Sequence, residues 1–396
     1  MRHLLSISTL YPTPLRPRFG TFVQSSLEAL AKRGDWKVTV INPLGVPPIP
    51  FGRYRPLTTL EPFTEEGGVA IHRPRFTLIP KLGARRNPDA IVRAVMPLVR
   101  AIHARHPIDV VDAQFFYPDG PAAARIARKL GLPHAIMARG SDIIVWGEKD
   151  FARHQMLAAA AEAGHLFAVS ADLMRRMAQM GMDERRISVH YTGLDHDRFR
   201  PLAHTQLRAQ LGERLGFDLP ARVPVLACVG ALIERKGQWI AIEALRQLPE
   251  ARLILAGEGE DEMKLRLLAV ARGVADRVHF AGAVDHDILP LILSASDAMV
   301  LPTVSEGLAN VWVESLACGT PLVTCNVGGA SELITSELAG RLIERSADAV
   351  AQGVREVLAN PRDRLAVAKL VEHFTWEANA ADLADHYAEM ARGRGG

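Results

Sequence analysis

The sequence predicts an α/β protein built from two doubly wound parallel sheets. Apolar runs of about four to eight residues, bounded by Gly or Pro, alternate with amphipathic segments along nearly the whole chain. Continuous apolar runs of this kind are typical of strands that are buried on both faces of a parallel sheet. The alternation restarts after a polar segment, GLDHDRFRP at residues 193–201, which indicates two domains within 396 residues.

The first domain is predicted over residues 1–194. It opens with the strand HLLSIST, the helix QSSLEALAKRG and the strand KVTVINP, which form a βαβ unit. Residues 43–88 are irregular, with short strand candidates at VAIHRP and RFTLI. Helices are then expected at 89–105, 119–130 and 151–163, each followed by a strand, and the helix DLMRRMAQMG and the strand ISVHYTG close the series.

The second domain is predicted over residues 195–375. Its strands are VPVLACVGAL, RLILAG, VHFAG, DAMVLPT and PLVTCN. Its helices are expected at 237–248, 260–273, 286–295, 310–318, 330–335, 346–358 and 361–373. A last amphipathic helix is predicted over 376–392, within a separate C-terminal segment 376–396.

Composition excludes several classes of protein. Apolar residues make up 48% and charged residues 23% of the chain, which is ordinary globular composition. No apolar stretch approaches the ~18 residues of a membrane span. The apolar run in the opening segment MRHLLSISTLYP is also too short for a signal peptide. Cys228, Cys318 and Cys325 form no CxxC motif. We therefore expect reduced thiols in a cytoplasmic protein.

Charge is distributed unevenly along the chain. Residues 1–200 carry 28 Lys/Arg and 18 Asp/Glu, whereas residues 201–396 carry 19 and 26. Residues 51–105 alone hold ten basic and four acidic groups, interleaved with apolar side chains such as Phe51 and Phe76. That stretch predicts either contact with an anionic membrane surface, on the inner face of the membrane, or a solvated basic surface. Aromatic residues are only 6% of the chain, which disfavours a nucleic-acid platform.

One motif at the end of a predicted strand suggests an anion site. In VGALIERKGQW, residues 229–239, a buried strand ends at Gly230, and Arg235 and Lys236 precede a helix. Two cations beside a helix N-terminus favour a phosphate or a diphosphate. The GxxxxGK[ST] spacing of a Walker loop is absent, and a solvated basic turn is the alternative reading.

A second motif suggests a site for hydroxyl-rich ligands. In LPTVSEGLANVWVESLACGTP, residues 301–321, Glu306 is predicted in a loop, and Glu314 about one turn into a helix that begins near Asn310. Carboxylates accept from hydroxyl groups and free backbone N–H groups donate to them, so this loop suits a sugar and a ribose. The alternative reading makes Glu306 a helix cap and Glu314 a surface residue.

Weaker signals follow other predicted strands. These are Gly20 in PRFGTFV, Arg139 and Asp142 in MARGSDI, Gly257 in LAGEGED, and the paired glycines of VGGASEL. HExxH and GxSxG are absent, and GxGxxG does not follow the first strand. Of the two DxD sequences, 195–197 lies in the linker and 285–287 lies at a predicted helix N-cap, where Asp is favoured, so neither indicates a metal site. We therefore expect no metal and no dinucleotide cofactor.

Taken together, these segments resemble the retaining glycosyltransferases of the GT-B fold, family four. GALIERKG is similar to the family's donor-phosphate motif and EGLANVWVE to its Glu-x7-Glu motif; YTGLDHDRFRP resembles its interdomain segment. DAQFFYPDGPAAA and ARGSDI resemble the subgroup that builds bacterial cell-surface polysaccharides. The resemblance implies two Rossmann-like domains facing each other across a cleft, with the last helix crossing back to the first domain.

The resemblance also implies roles for individual residues. Lys236 and Arg235 would hold the donor diphosphate, and Glu314 would bind the ribose of the nucleotide sugar. Arg139 would lie near the reacting sugar, with Gln114 and Asp142 on the side of a glycan or lipid-linked acceptor. The remaining donor-site residues are Glu306, Gly307, Leu308, Ala309 and Asn310, together with Gly20, Gly230 and Gly257. Transfer of a hexose would proceed with retention and without a metal.

Three positions depart from the family pattern. Ala231 stands where an Arg is common, and Gln114 and Arg139 each replace a His. These departures keep open a catalytically silent sugar-nucleotide-binding partner of an assembly complex. A sugar-nucleotide epimerase can share the two-domain shape, although the Glu-x7-Glu block disfavours it. The donor base, the sugar, the acceptor and the oligomeric state do not follow from the sequence.

Overall fold

The structure is a computed structural model that describes residues 1–80, 83–285 and 287–393, with the backbone alone for residues 204–206. The chain divides into two compact units. Unit 1 comprises Met1–Gly193 and Trp376–Gly396, and unit 2 comprises Leu194–Thr375. Residues 394–396 of the predicted C-terminal segment lie outside the described residues.

Unit 1 alternates strands and helices as the sequence predicts. Its strands are β1 (Arg2–Ile7), β2 (Trp36–Ile41), β3 (Leu44–Val46), β4 (Phe63–Glu66), β5 (Val69–His72), β6 (Arg75–Thr77), β7 (Val110–Ala113), β8 (His134–Ala138), β9 (His165–Ala168) and β10 (Ile187–Val189). Its helices are α1 (Thr21–Lys32), α2 (Asn87–Arg105), α3 (Asp119–Leu130), α4 (Asp150–Glu162), α5 (Ala171–Gln179) and α14 (Trp376–Arg392).

The described strands of unit 1 form one large sheet and one small one. The large sheet has the order β10-β9-β8-β7-β1-β2-β5-β4, and every pair in it is parallel except β4 with β5. β3 pairs with β6 in a separate parallel ribbon. β1, β7 and β8 are almost wholly buried, as expected for strands covered by helices on both faces.

Unit 2 is a smaller version of the same architecture. Its strands are β11 (Val225–Val229), β12 (Arg252–Ala256), β13 (Val278–Gly282), β14 (Ala298–Leu301), β15 (Leu322–Cys325) and β16 (Gly340–Ile343). Its helices are α6 (His204–Leu215), α7 (Gln238–Ala244), α8 (Glu262–Ala271), α9 (Leu289–Ala295), α10 (Asn310–Ala317), α11 (Ala330–Leu333), α12 (Ala347–Ala359) and α13 (Arg364–Lys369). The described strands pair in the order β13-β12-β11-β14-β15-β16, all parallel.

The structure differs from the sequence prediction in four elements that are not predicted, β3, β4, β16 and α6, and in the lengths of several helices. α6 is not predicted, because its segment follows the polar linker and has a weak amphipathic pattern. The predicted helix 237–248 ends at Ala244 and continues as a tighter turn, and 361–373 shortens to Arg364–Lys369. The predicted helix 286–295 begins at Leu289, and His286 lies outside the described residues.

The last helix, α14, is part of unit 1 because it packs against α1 and buries polar as well as apolar groups. Ser26 donates to Asn379 at 2.6 Å, and Asn379 donates to the carbonyl of Tyr191 at 2.7 Å. The Tyr387 ring meets Trp36 edge to face, with centroids 5.9 Å apart. These contacts anchor the N-terminal half of α14 through Asn379 and its C-terminal half through Tyr387.

Candidate functional site

The topology of unit 2 places a candidate site at the carboxyl ends of β11 and β14. These strands are neighbours, but the chain leaves β11 toward β12 and leaves β14 toward β15. A parallel sheet opens a crevice for a ligand at such a switch point. The loops that border it are residues 230–237 after β11 and 302–309 after β14. They are the two segments whose motifs the sequence singled out.

In this crevice two predicted cations, Lys236 and Arg235, converge on the carboxylate of a third predicted site residue, Glu306. Lys236 Nζ lies 2.6 Å from Glu306 Oε1, and Arg235 Nη1 lies 3.4 Å from the same oxygen. Thr303 donates its hydroxyl to that oxygen at 3.0 Å. The side chains of Lys236 and Glu306 are only 14% and 11% exposed, so this ion pair is shielded from solvent. The cluster carries one net positive charge.

Glycines allow the two loops to approach this closely. Gly237 has φ +76°, and a Cβ there would lie 2.3 Å from the carbonyl oxygen of Pro302. Gly328, in the predicted glycine pair after β15, has φ +54°, and its Cβ would lie 2.4 Å from the carbonyl oxygen of Glu306. The backbone therefore sets the position of Glu306 from two sides.

Two further predicted glycines allow the backbones that follow β11 and β12 to lie close together. Gly230 ends β11 with φ +144°, next to the Lys236 side chain. Gly257 ends β12, and a Cβ there would lie 2.1 Å from the carbonyl oxygen of Gly230. Because side chains are excluded here, the crevice floor is open backbone.

The loop before α10 offers backbone donors. Among the described residues, the N–H groups of Gly307, Leu308 and Ala309 make no hydrogen bond. They precede Asn310, the first residue of α10, which lacks a side-chain cap. Unused donors next to Glu306 complement hydroxyl oxygens or an anion.

Glu314 lies one turn into α10 and is unlike an ordinary surface glutamate. Its side chain is partly accessible, yet burial raises its pKa from 4.5 to about 7. Within the described part of the chain, its carboxylate has no ion-pair or hydrogen-bond partner. A desolvated carboxylate without a partner is stabilised by a ligand that brings hydroxyl donors.

Unit 1 holds the other predicted site residues at its own switch point, between β1 and β7. Gly20 has φ +79° at the start of α1, and a Cβ there would lie 2.6 Å from the carbonyl oxygen of Leu10. Arg139 follows β8, donates to the side-chain oxygen of Gln114 and lies over the Phe22 ring at 5.1 Å. Burial lowers the pKa of the Arg139 guanidinium to about 10.

Asp142 differs from the expectation that it faces an acceptor. Its side chain is fully buried, and its carboxylate accepts four backbone N–H groups, at 2.8 Å from Phe116, 2.8 Å from Gly140 and about 3 Å from Arg139 and Ile143. All of its hydrogen-bonding capacity is spent on the chain. Asp142 therefore shapes the loop that carries Arg139 and is not available to a ligand. Gln114 is likewise fully buried, and its side-chain oxygen accepts a hydrogen bond from Arg139.

Sequence reasoning missed the residues behind Gln114. Gln114 donates to Asp112, and Tyr387 on α14 donates to the same carboxylate oxygen at 2.7 Å. Burial raises the pKa of Asp112 to about 6. The acidic residue inside the strand DVVDAQ was the available signal, but its partner on α14 is 275 residues away.

The remaining features are structural. Cys228, Cys318 and Cys325 are buried free thiols, and burial raises the pKa of Cys228 to about 12. In the described ranges, no three His, Cys, Asp or Glu side chains are grouped closely enough to hold a metal ion. Across the same residues, every helix is too short or too polar to span a lipid bilayer.

The fold and the crevice of unit 2 define a class of protein. The family described as Glycosyltransferase Family 4 matches residues 20–198, and the family described as Glycosyl transferases group 1 matches residues 216–373. Each match covers one sheet-based half of the chain. The chain belongs to the glycosyltransferases of the GT-B fold.

Particular relatives span different parts of the chain. The glycosyltransferase TuaC of Bacillus subtilis, named for teichuronic acid biosynthesis, is 26% identical over 362 residues, which are 89% of this chain and 88% of that protein. A GDP-mannose-dependent alpha-(1-6)-phosphatidylinositol monomannoside mannosyltransferase of Mycobacterium tuberculosis is 36% identical over 216 residues. That match spans 49% of this chain and 53% of the mycobacterial protein.

Solved structures share the fold over nearly the whole length of the chain. Sucrose-phosphate synthase from Thermosynechococcus elongatus superposes with a TM-score of 0.79 at 20% identity, covering 99% of this chain and 100% of that one. HepE of Anabaena in complex with UDP superposes with a TM-score of 0.75 at 20% identity, covering 98% and 100%. At this identity the likeness establishes the fold.

Proposed function

We propose that this chain is a retaining glycosyltransferase that moves a hexose from a nucleoside diphosphate sugar to a glycan or lipid-linked acceptor. One observation carries the proposal. Lys236, Arg235 and Glu306 meet at the switch point of unit 2, and Glu314, whose carboxylate has no partner among the described residues, lies on α10, the helix that begins directly after the Glu306 loop. Cations and carboxylates are therefore supplied by adjoining segments of unit 2, which supports a nucleotide sugar as the ligand.

The cations would hold the donor diphosphate. Lys236 and Arg235 are both engaged with Glu306. A diphosphate carries more charge than this carboxylate and would replace it as the partner of the two cations. Glu306 would then be freed to accept hydrogen bonds from sugar hydroxyls, with the N–H groups of Gly307, Leu308 and Ala309 as donors.

Glu314 would bind the ribose. Two vicinal hydroxyls can donate to one carboxylate, and Glu314 offers a partly desolvated carboxylate without a partner among the described residues. Ribose binding would favour the ionised form of Glu314 and would lower its pKa. Donor affinity should accordingly rise with pH as Glu314 ionises.

The chemical step needs electrostatic stabilisation more than a protein base. The bond between the anomeric carbon and the phosphate oxygen breaks, and the acceptor oxygen bonds to the same face of that carbon. The leaving phosphate takes the acceptor proton, so the charge that develops on it is what must be stabilised. Lys236 and Arg235 would do this, and one such group is worth about 3–4 kcal/mol of barrier. We propose that no metal is required, because these cations supply the charge.

Unit 1 would supply acceptor contacts. Arg139 keeps its guanidinium fixed through Gln114 and Phe22, so it is preorganised for an anionic or hydroxyl-bearing group. The named roles of the relatives in teichuronic acid and in phosphatidylinositol mannoside synthesis support a cell-surface glycan or a glycolipid as product.

We also propose peripheral contact with the inner face of an anionic membrane. Within residues 51–105 and just before them, Ile49, Phe51 and Ile79 are exposed by 79%, 65% and 47%. Arg53 and Arg55 are exposed close to Phe51 along the chain. Exposed apolar groups with flanking cations suit a lipid interface. Lys81 and Leu82, within this stretch, lie outside the described residues.

Transfer assays test the proposed function. The protein would be incubated with radiolabelled UDP-glucose, GDP-mannose and ADP-glucose in turn, together with lipid-linked saccharide acceptors, with and without EDTA. We expect one donor to give a labelled product with a retained anomeric configuration, unchanged by EDTA. An inverted product, or turnover abolished by EDTA and restored by Mg²⁺, would contradict the mechanism. Nucleotide binding without any transfer would indicate a silent partner.

A further inference from the structure

Unit 1 contains a cavity that none of the predicted site residues lines. Its volume is about 670 Å³, which is in the range of small-molecule sites. It lies between the turn before α2, the middle of α3 and the first turns of α4. Its basic members are Arg85, Arg86 and Arg125, and its acidic members are Asp89 and Asp150.

One of the three arginines is already paired. Arg125 Nη1 lies 3.1 Å from Asp89 Oδ1, and Arg125 donates from Nη2 to Gln155 at 2.8 Å. One oxygen of Asp89 is therefore engaged by Arg125. Arg85 and Arg86 make no ion pair or side-chain hydrogen bond within the described residues. Two adjacent guanidinium groups thus line the cavity without a paired carboxylate.

The backbone that carries these two arginines is fixed. Gln155 donates to the carbonyl of Arg85 at 3.1 Å, and the Tyr117 hydroxyl donates to the carbonyl of Ala84 at 2.6 Å. Only the side chains of Arg85 and Arg86 need to be ordered by a ligand. Two guanidinium groups carried on a fixed backbone can match the geometry of phosphate oxygens.

The rest of the lining suits a sugar. Phe151 presents part of its ring, which is held edge to face by Tyr117 with centroids 6.0 Å apart. Asp150 is exposed at the first turn of α4, and its carboxylate can accept from hydroxyls. His154 donates Nδ1 to the carbonyl of Asp150 at 2.9 Å, which leaves Nε2 for a ligand.

We propose that this cavity binds a glycosyl phosphate, with Arg85 and Arg86 on the phosphate and Asp150 and Phe151 on the sugar. Resting on the proposed function, the ligand would be the phosphorylated end of the acceptor. The same phosphate chemistry is offered by a free sugar phosphate and by a phospholipid headgroup. The cavity is distinct from the cation cluster at Lys236, which lies in unit 2.

The test compares two double variants with the same loss of charge. R85Q/R86Q removes the unpaired cations of the cavity. R100Q/R105Q removes two exposed cations from the other end of α2, outside the cavity. Both would be titrated with glucose 1-phosphate and with glucose by calorimetry. Both would also be sedimented with vesicles of phosphatidylcholine and phosphatidylglycerol in equal parts.

We expect glucose 1-phosphate to bind the wild type and R100Q/R105Q alike and R85Q/R86Q at least tenfold more weakly, with no binding of glucose. If the wild type does not bind glucose 1-phosphate and vesicle binding is lost in R85Q/R86Q alone, the phosphate belongs to a lipid headgroup. Binding of glucose 1-phosphate that is weakened equally in both variants, or in neither, would overturn the proposal. Stabilisation by nucleotides should be unchanged in R85Q/R86Q, which separates this outcome from a failure of the donor site.

Discussion

Replacing Glu314 by glutamine should stabilise the protein while weakening nucleotide binding. The substitution keeps the size and shape of the side chain but removes the ionisable group. In the wild type, burial raises the pKa of Glu314 from 4.5 to about 7, and no described group compensates its charge. The folded protein therefore resists ionisation that the unfolded chain undergoes freely.

The expected gain in stability of E314Q follows from the link between the pKa of Glu314 and the free energy of unfolding. A folded pKa above the unfolded one means that the folded state binds more protons between pH 4.5 and 7, so the free energy of unfolding falls as pH rises through that window. The rise of the Glu314 pKa from 4.5 to about 7 corresponds to at most about 3.4 kcal/mol of unfolding free energy, at about 1.36 kcal/mol for each pH unit. Because the side chain is partly accessible, about 1–3 kcal/mol is the range we expect. At pH 5 and below, most of the difference should disappear.

Urea unfolding of wild type and E314Q at pH 5 and pH 8 measures this directly. E250Q serves as the matched control, because Glu250 is exposed at the end of a turn in the same unit. We expect E314Q to gain stability at pH 8 only, and E250Q to match the wild type at both values. The affinity for the nucleotide should fall about tenfold or more, the usual cost of losing a charged hydrogen-bond partner. A difference in stability that does not depend on pH would refute the reasoning.

Three further predictions follow from named contacts. K236A should cut turnover more than tenfold while circular dichroism stays unchanged, and wild-type turnover would remove Lys236 from the proposed mechanism. G237A should cost about 2 kcal/mol or more in urea unfolding, because a Cβ at φ +76° would lie 2.3 Å from the Pro302 carbonyl oxygen; an unchanged midpoint would contradict the close approach. Y387F should destabilise unit 1 by about 1–3 kcal/mol at pH 8 and by less at pH 5. The reason is that the Tyr387 hydroxyl donates to the ionised carboxylate of Asp112, whose pKa burial raises to about 6. An equal loss of stability at pH 8 and pH 5 would argue against that contact.

The regular elements were readable from the sequence because their signals are local. The predicted C-terminal helix over 376–392 coincides with Trp376–Arg392, and 119–130 coincides with Asp119–Leu130. Both have clear amphipathic patterns and distinct ends. α6 was missed because its helical pattern is weak and Ala203, which precedes it, gives no N-cap signal. The change from α-helix to a tighter turn after Ala244 was not predicted either.

The site was only partly readable. Strand ends and glycines marked the loops that hold Lys236 and Glu306, and the structure joins these two residues in an ion pair. Asp142 was misread because its neighbours in the sequence do not show that four backbone N–H groups surround it. Tyr387 and Asp112 meet only through the fold. Burial and long-range pairing are properties of the packed chain, so a local motif cannot report them.

The central claim is that the crevice of unit 2 binds a nucleoside diphosphate through Lys236 and Glu314. The most direct test is a thermal-shift panel of UDP, GDP, ADP and CMP, with and without EDTA, on wild type, K236A and E314Q. A ligand at ~100 times its dissociation constant adds about 2.7 kcal/mol to stability, which gives a visible shift. We predict that one diphosphate stands out in the wild type, that its effect is insensitive to EDTA, and that the shift it causes is clearly smaller in both variants. No shift with any nucleotide, or equal shifts in all three proteins, would contradict the account.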